Sequence, residues 1–196
     1  WSAASRSHVA HMEAGDFYGS EQSVELPAAA SLRIEFETAD GELRLLREGI
    51  EVGAGDIVDA SCMSRSALRA FYRQAIEEAK RDGLLLSLHL KATMMKVSDP
   101  ILFGHAVQVY FEDVFDRHAS LFEALGVEPD NGVGDLLERL DGLPEPRRRE
   151  IEADIELFET VDDYHRAGGT PGSAGCYVGR TGVVLVPMAS LGLKKG

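Results

Sequence analysis

"LSLHLKATMMKVSDPILFGH", residues 86–105, sets two lysines and two histidines inside an otherwise apolar run. Taking an ammonium group out of water is costly unless something compensates it, so such a run needs explaining. Its left half, extended to "LLLSLHLK", is a strand by its length and apolar density. At a period of two, Leu84, Leu86, Leu88 and Leu90 share one face, and Leu85, Ser87, His89 and Lys91 share the other. One face packs, while the other turns polar toward its carboxyl end. The right half opens a helix, because proline suits the first helical position and Ser98 or Asp99 can cap it ahead of Pro100. That helix, "PILFGHAVQVYFEDVFDRH", is apolar around much of its circumference and belongs at the centre of the fold. Strand ends in α/β layers are where clefts form and ligands bind. A lysine at such an end, partly desolvated, exchanges protons near neutrality. The plainer reading is a lysine that emerges from the strand end into water, and Lys91 and Lys96 both carry the two readings.

Before this run, "SCMSRSALRAFYRQAIEEAKRDG" predicts a helix with Ser64 as its cap, Leu68, Phe71, Tyr72, Ile76 and Ala79 on one face, and Gly83 as its stop. Further back, "SVELP" and "SLRIEFETADGELRLLREGIEV" alternate apolar and polar residues, with Leu32, Ile34 and Phe36 on one face. Asp40-Gly41 predicts a hairpin turn, giving an antiparallel pair over about residues 31–47. Residues 1–20 read as an irregular lead-in lying over a neighbouring surface. After the central helix, shorter helices are expected at about 119–125, 133–141 and 144–160. From about residue 161 a Gly-rich linker leads to one short apolar strand in "VVLVP" and a basic tail. The expected fold class is therefore α/β, a mixed sheet with an antiparallel hairpin and packed helices. Residues 1–160 form one partial domain, and 161–196 a linker and divergent tail.

Composition narrows the partners. Asp and Glu number 33 against 20 Lys and Arg, a formal net charge of −13. That is a poor match for a phosphate backbone and argues against nucleic acid. Any small anionic substrate must then be drawn in by a local group of cations. No stretch approaches the roughly 20 apolar residues of a membrane helix. Cys62 and Cys176 are too few for a disulfide framework or a zinc site, which fits a reduced, cytoplasmic setting. Beginning at Trp1 with no leader pattern, the chain reads as a piece of something longer.

Other candidate groups have ordinary explanations beside the functional ones. His89 and His105 flank the run and could ligate a metal or act as a base, but a histidine satisfied by hydrogen bonds on a half-buried face is the commoner outcome. His8 and His11 have helical ligand spacing, yet the lead-in is not helical and no carboxylate completes a set. Gly53-x-Gly55 and Gly132-x-Gly134 each lack a third glycine and read as turns rather than dinucleotide loops. Arg147, Arg148 and Arg149 precede acids at a helix start and read as a solvated face.

The run "SLHLKATMMKVSDPILFGHAV" resembles, nearly residue for residue, a signature segment of the monomeric NADP-dependent isocitrate dehydrogenases. "WSA", "GDF", "SVELPAA", "VDASCMSRSAL", "VYFEDVF", "DNGVGDL" and "IEADI" agree in order and spacing over about residues 1–156. The resemblance implies part of an isocitrate/isopropylmalate dehydrogenase-like fold, from the early part of the second domain of a longer, monomeric enzyme. That family oxidises isocitrate with NADP and Mg2+ or Mn2+ and decarboxylates the intermediate to 2-oxoglutarate. Its acid–base lysine matches Lys91, while Lys96 matches no family role. The family's remaining substrate, metal, NADP and tyrosine residues fall outside the matched stretch, so the isolated chain is expected to be inactive and to need the missing parts of the same polypeptide. Two other readings stay open. One is a stand-alone, non-catalytic module that kept the fold and acts by binding or association. The other is a small-anion binder using Lys91 and Lys96, against which the net charge argues.

Overall fold

Asp16 ends the irregular lead-in by capping a single helical turn, α1 (Phe17–Ser20), its carboxylate accepting from the Gly19 N–H at 3.0 Å. The computed structural model describes residues 2–84, 86–90, 95–155, 177–178 and 183–187. They divide into two units, Glu13–Ser64 and a second made of residues 1–12 with 65–196.

In the first unit, β1 (Gln22–Glu25) pairs antiparallel with β4 (Ile57–Ala60), and β2 (Ala30–Glu37) pairs antiparallel with β3 (Leu43–Val52). The β2–β3 hairpin lies where alternation predicted it. Its loop is Ala39–Gly41: the Gly41 N–H donates to the Thr38 carbonyl at 2.9 Å, and Gly41 sits at φ 83°. That left-handed position explains why Asp-Gly, rather than a bulkier pair, closes the loop. The register is less regular than alternation implied. β3 has 10 residues against 8 in β2, and the extra ones enter as shifts between Leu32 and Ile34 and between Ile34 and Glu35. Gly49, at φ 69°, lies opposite the first shift and supplies the bulge. The extra residues lie on β3, so Leu32, Ile34 and Phe36 keep their alternate spacing on β2. Ile34, Phe36, Leu43, Leu45 and Leu46 are 49–65% exposed. The turn before β4 places Gly55 at φ 83°, so Gly53-x-Gly55 is a turn, as its spacing suggested.

The second unit opens with α2 (Arg65–Asp82), which begins just after Ser64 and buries Leu68, Tyr72, Ala75, Ile76 and Ala79. The recurrence at i, i+4, i+7, i+8 and i+11 is one helical stripe. Gly83, at φ 62°, ends it in a Schellman motif: the Gly83 N–H reaches Lys80 O at 3.3 Å and the Leu84 N–H reaches Ala79 O at 2.9 Å. β5 (Leu86–Leu90) follows, with Leu86, Leu88 and Leu90 half-buried and Ser87 exposed, as the period of two requires.

α3 (Ser98–Tyr110) starts two residues earlier than expected, with Val97 before it and Pro100 third in the helix. Proline is tolerated throughout a first turn, whose N–H groups have no intrahelical partner, so Pro100 does not mark the boundary. The expected continuous helix to residue 118 is broken at Phe111, giving α4 (Glu112–Arg117), while the boundary at His118 and α5 (Ala119–Leu125) fall where they were expected. Phe111 and His118 have ψ of 31° and 18° and are themselves buried. Val107, Phe111, Val114, His118 and Phe122 form one buried stripe across both breaks. Tertiary packing, with neither Pro nor Gly at the breaks, bends the run around its core.

A 3-10 turn at Pro129–Asn131 leads to α6 (Val133–Leu140) and then α7 (Glu145–Asp154). The expected helix over 144–160 is described only to Ile155. Leu136, Leu140, Ile151 and Ile155 are among the most deeply buried side chains and join these helices in one core. Gly132, at φ 84°, makes the turn into α6, which settles Gly132-x-Gly134 as a turn. Arg147 and Arg149 pair with Glu150 and Glu145, and Arg148 with Asp141 and Glu152, the solvated face that the sequence suggested. β6 (Tyr177–Val178) and β7 (Val183–Pro187) complete a sheet of order β5-β7-β6, β7 being parallel to β5 and antiparallel to β6. Mixed pairing of this kind is the α/β class expected. The Gly-rich stretch read as a linker lies outside the described residues. Among the described residues, no helix is long and apolar enough to cross a membrane.

Candidate active site

Three elements converge on the run that opened the sequence. Phe71, Tyr72, Ala75, Ala79 and Asp82 of α2 line one cavity with Leu84, Leu86 and Leu88. α3 packs along α2: the Tyr72 phenol donates to the Leu102 carbonyl at 3.3 Å and Arg69 Nη1 donates to Gln108 Oε1 at 2.6 Å. Arg73 pairs with Glu112 at the start of α4, so polar contacts within little more than one turn of α2 hold it against both helices.

Asp99, in the first turn of α3, is only 8% exposed. The sequence offered it as a cap, and the structure buries it close to Tyr72. Burial, reinforced by the Asp99 carboxylate, pushes the Tyr72 phenol up to about 12. Tyr72 is therefore a neutral hydrogen-bond donor at physiological pH and not a base. The Tyr72–Asp99 association was not deduced from the sequence. Its signals were an Asp directly before a proline at a helix start and a Tyr inside an apolar stripe.

His105 lies half-buried on α3, its Nδ1 buried and without a hydrogen-bond partner. Burial first, and then the Arg69 guanidinium, hold its pKa below the usual range, while Asp130 pulls the other way. Burial in turn raises the Asp130 carboxyl. The contact between α3 and the 3-10 turn depends on Gly104: a Cβ there would fall 1.9 Å from Asp130 Oδ1 and 2.9 Å from Asp130 N.

Lys91, the residue favoured for acid–base work, lies outside the described residues. β5 ends at Leu90, the residue before it. Lys96 is exposed in the turn before α3. His89 is the fourth residue of β5, in register with Val186. His8 and His11 are exposed in the lead-in, and His8 Nδ1–H donates to the Arg6 carbonyl at 3.0 Å. None of the groups proposed from spacing forms a metal centre: among the described residues no three His, Cys, Asp or Glu side chains converge as a cation would need. Cys62 is exposed as a free thiol.

Two cavities flank the site without supplying its chemistry. One of about 430 Å³ lies toward the amino end of β5 and is mainly apolar, with the lead-in residues Ser7–Ala10 along one side. The lead-in does lie over α2, as its composition suggested. The other, about 460 Å³, is lined by Arg73, Lys80 and Arg117, each already paired with an acid: Glu112, Glu77 and Asp154. Beside it, His118 is 3% exposed and its Nε2–H donates to Asp154 Oδ2 at 2.9 Å. Sequence reasoning missed that bond, which ties the α4–α5 break to the end of α7.

Comparison with known proteins places these elements. A model of the family described as monomeric isocitrate dehydrogenase matches residues 1–163. The chain is 53% identical over 156 residues to isocitrate dehydrogenase (NADP) 2 of Colwellia maris, and 51% identical over 156 residues to isocitrate dehydrogenase (NADP) of Azotobacter vinelandii. It is 44% identical over 155 residues to isocitrate dehydrogenase (NADP) 2 of Mycobacterium tuberculosis. These matches cover 79–80% of this chain and 21% of each relative, so the chain spans about a fifth of the length of the proteins it matches.

Proposed function

Because the chain belongs to the monomeric isocitrate dehydrogenase family, we propose that residues 1–163 supply one part of an NADP-dependent isocitrate dehydrogenase, with Lys91 as an acid–base group. The observation that carries this reading is the family match over a stretch whose β5 ends at Leu90, so that the residue after a strand end is the lysine. In such a reaction the substrate hydroxyl loses its proton as hydride passes to NADP, carbon dioxide then leaves, and the resulting enolate takes a proton. A neutral lysine amine beside the substrate can take up the hydroxyl proton and, as the ammonium so formed, return a proton to the enolate. The Tyr72 phenol, neutral and directed at Leu102 O, holds α2 against α3 behind the site and exchanges no proton.

NADP and Mg2+ or Mn2+ belong to the proposed whole enzyme. Among the described residues, no three His, Cys, Asp or Glu side chains converge as a cation cage. The apolar side chains left exposed on the β2–β3 ribbon, Ile34 to Leu46, support packing against other parts of a longer polypeptide.

The test is a chimera. Residues 1–156 of this chain replace the matching stretch of the Azotobacter vinelandii enzyme, and NADPH formation from isocitrate is followed. The chimera is expected to turn over. In it, Lys91→Met should lower kcat by about 10²- to 10⁴-fold, the usual contribution of a general acid–base group, with a smaller change in KM. A folded, active chimera indifferent to Lys91→Met would overturn the assignment.

A further inference from the structure

The cavity of about 430 Å³ between the lead-in, α2 and β5 is used by none of the chemistry above. Protein interiors leave few voids larger than a water molecule, so it exceeds ordinary packing slack, and its volume falls in the range of small-molecule pockets. Phe71, Ala75, Glu78 and Asp82 recur at helical spacing on one face of α2 and line it from that side. Leu84, Leu86 and Leu88 line it from the other. We propose that this cavity binds a small organic ammonium, a compact apolar or aromatic body bearing one amine, with the amine beside Glu78.

The charges along the lining select that class. Asp82 is already paired with Arg81 at 3.1 Å, and Arg6 and His8 add positive charge beside it. The Tyr72 phenol is spent on the Leu102 carbonyl. Glu78 is different. Half-buried, it accepts a hydrogen bond from Gln74 Nε2 at Oε1, 2.9 Å away, and no cation among the described residues lies within ion-pair distance of it. A carboxylate at an apolar cavity with no paired cation is a place for one, and a charge-assisted hydrogen bond there is about twice as strong as a neutral one. The rings of Phe71 and Tyr72, with centroids 5.8 Å apart, both line the cavity and suit an apolar body, and an aromatic face also attracts a cation. A carboxylate ligand would instead meet Glu78, Asp82 and a net charge of −13. The site is thus distinct from the one proposed for isocitrate and independent of the role of Lys91.

The test titrates the full chain with benzylamine, benzyl alcohol and benzoate, probes of one shape that are cationic, neutral and anionic near neutral pH. Binding is read from the amide chemical shifts of Phe71–Asp82 and from the rise in Tm. Benzylamine should bind with a Kd on the order of a millimolar, at least about fivefold tighter than benzyl alcohol, and benzoate should not bind. Glu78→Gln should abolish the difference between amine and alcohol, whereas Glu77→Gln, the neighbouring acid outside this lining, should keep it. Equal binding of amine and alcohol would overturn the proposal, as would an amine preference that survives Glu78→Gln or the absence of any response to benzylamine at about 10 mM. The same order of affinities is expected in the chimera described above, active or not. Loss of amine binding there would also overturn the proposal, because the cavity would then be a seat for the rest of the polypeptide.

Discussion

Gly104→Ala measures how closely the 3-10 turn Pro129–Asn131 is seated on α3. A methyl group at residue 104 would stand 1.9 Å from Asp130 Oδ1, 2.9 Å from Asp130 N and 3.0 Å from Asp130 Cα. The carboxylate can swing away, but the two backbone atoms move only if the whole turn moves. Inserting a methyl group into such a contact costs about 1–3 kcal/mol. Alanine in place of glycine within a helix recovers about 0.8–1 kcal/mol. From the middle of each range the net expectation is a loss of about 1 kcal/mol, which lowers Tm by about 2–4 °C in a protein of this size. Thermal unfolding followed by far-ultraviolet circular dichroism reads this directly. Gly142→Ala is the control: its nearest neighbour would be Arg139 O at 3.7 Å, an ordinary contact. The double variant Gly104→Ala, Asp130→Ala removes the nearest atom and leaves the backbone contacts, so it should recover only part of the loss. A Tm unchanged or raised in Gly104→Ala would refute the close seating. Full recovery in the double variant would show that only the mobile carboxylate was in the way.

Leu140→Ala deletes a side chain with 0% exposure and should cost about 2–5 kcal/mol in urea unfolding; a loss under about 1 kcal/mol would mean that α6 is not part of the core. The hydrogen bond from His118, and then Arg117, hold the Asp154 carboxyl below the ordinary value of 3.8. Its stabilising contribution is therefore complete above that value and lost as pH falls below it through the lowered folded pKa. Asp154→Asn should accordingly flatten the fall in Tm below about pH 4, whereas an identical acid limb would exclude the carboxylate. Tyr72→Phe should remove the phenolate absorbance step at about 12 from an alkaline titration, and persistence of that step would assign it to another tyrosine.

Periodic, short-range features were legible in the sequence. The stripe of α2, the alternation of β5 and the Asp40-Gly41 loop each depend on neighbours within a few residues, and all were placed correctly. Tertiary contacts decided most of the misplacements. Phe111 is an unremarkable helix residue until the stripe from Val107 to Phe122 has to follow a curved core. Alternation did not mark the two register shifts of β3 against β2. Pro100 looked like a boundary because its most frequent place was taken for its only one. At the candidate site, strand end and helix start were readable from 86–105, but the burial of Asp99 beside Tyr72 was not, since it joins elements that the sequence separates by 27 residues.

Electrostatics gives the proposed site a further constraint. In a chain of net charge −13, most described cations are already engaged: Arg69 and Arg73 with Glu112, Lys80 with Glu77, Arg117 with Asp154, Arg139 with Asp135, and Arg147–Arg149 with acids on or beside α7. A guanidinium that has spent its donors on a carboxylate has little left for a substrate. Arg6, Arg47, Arg65 and Lys96 are in none of these pairs: Arg6 lies in the lead-in, Arg47 on β3, Arg65 opens α2 and Lys96 stands just before α3. The uncommitted positive charge among the described residues is therefore spread over four segments. The amino end of β5 instead carries an apolar cavity with Glu78 and Asp82 along its lining. The net charge opposes any approaching polycarboxylate, which would have to be drawn in by a local group of cations.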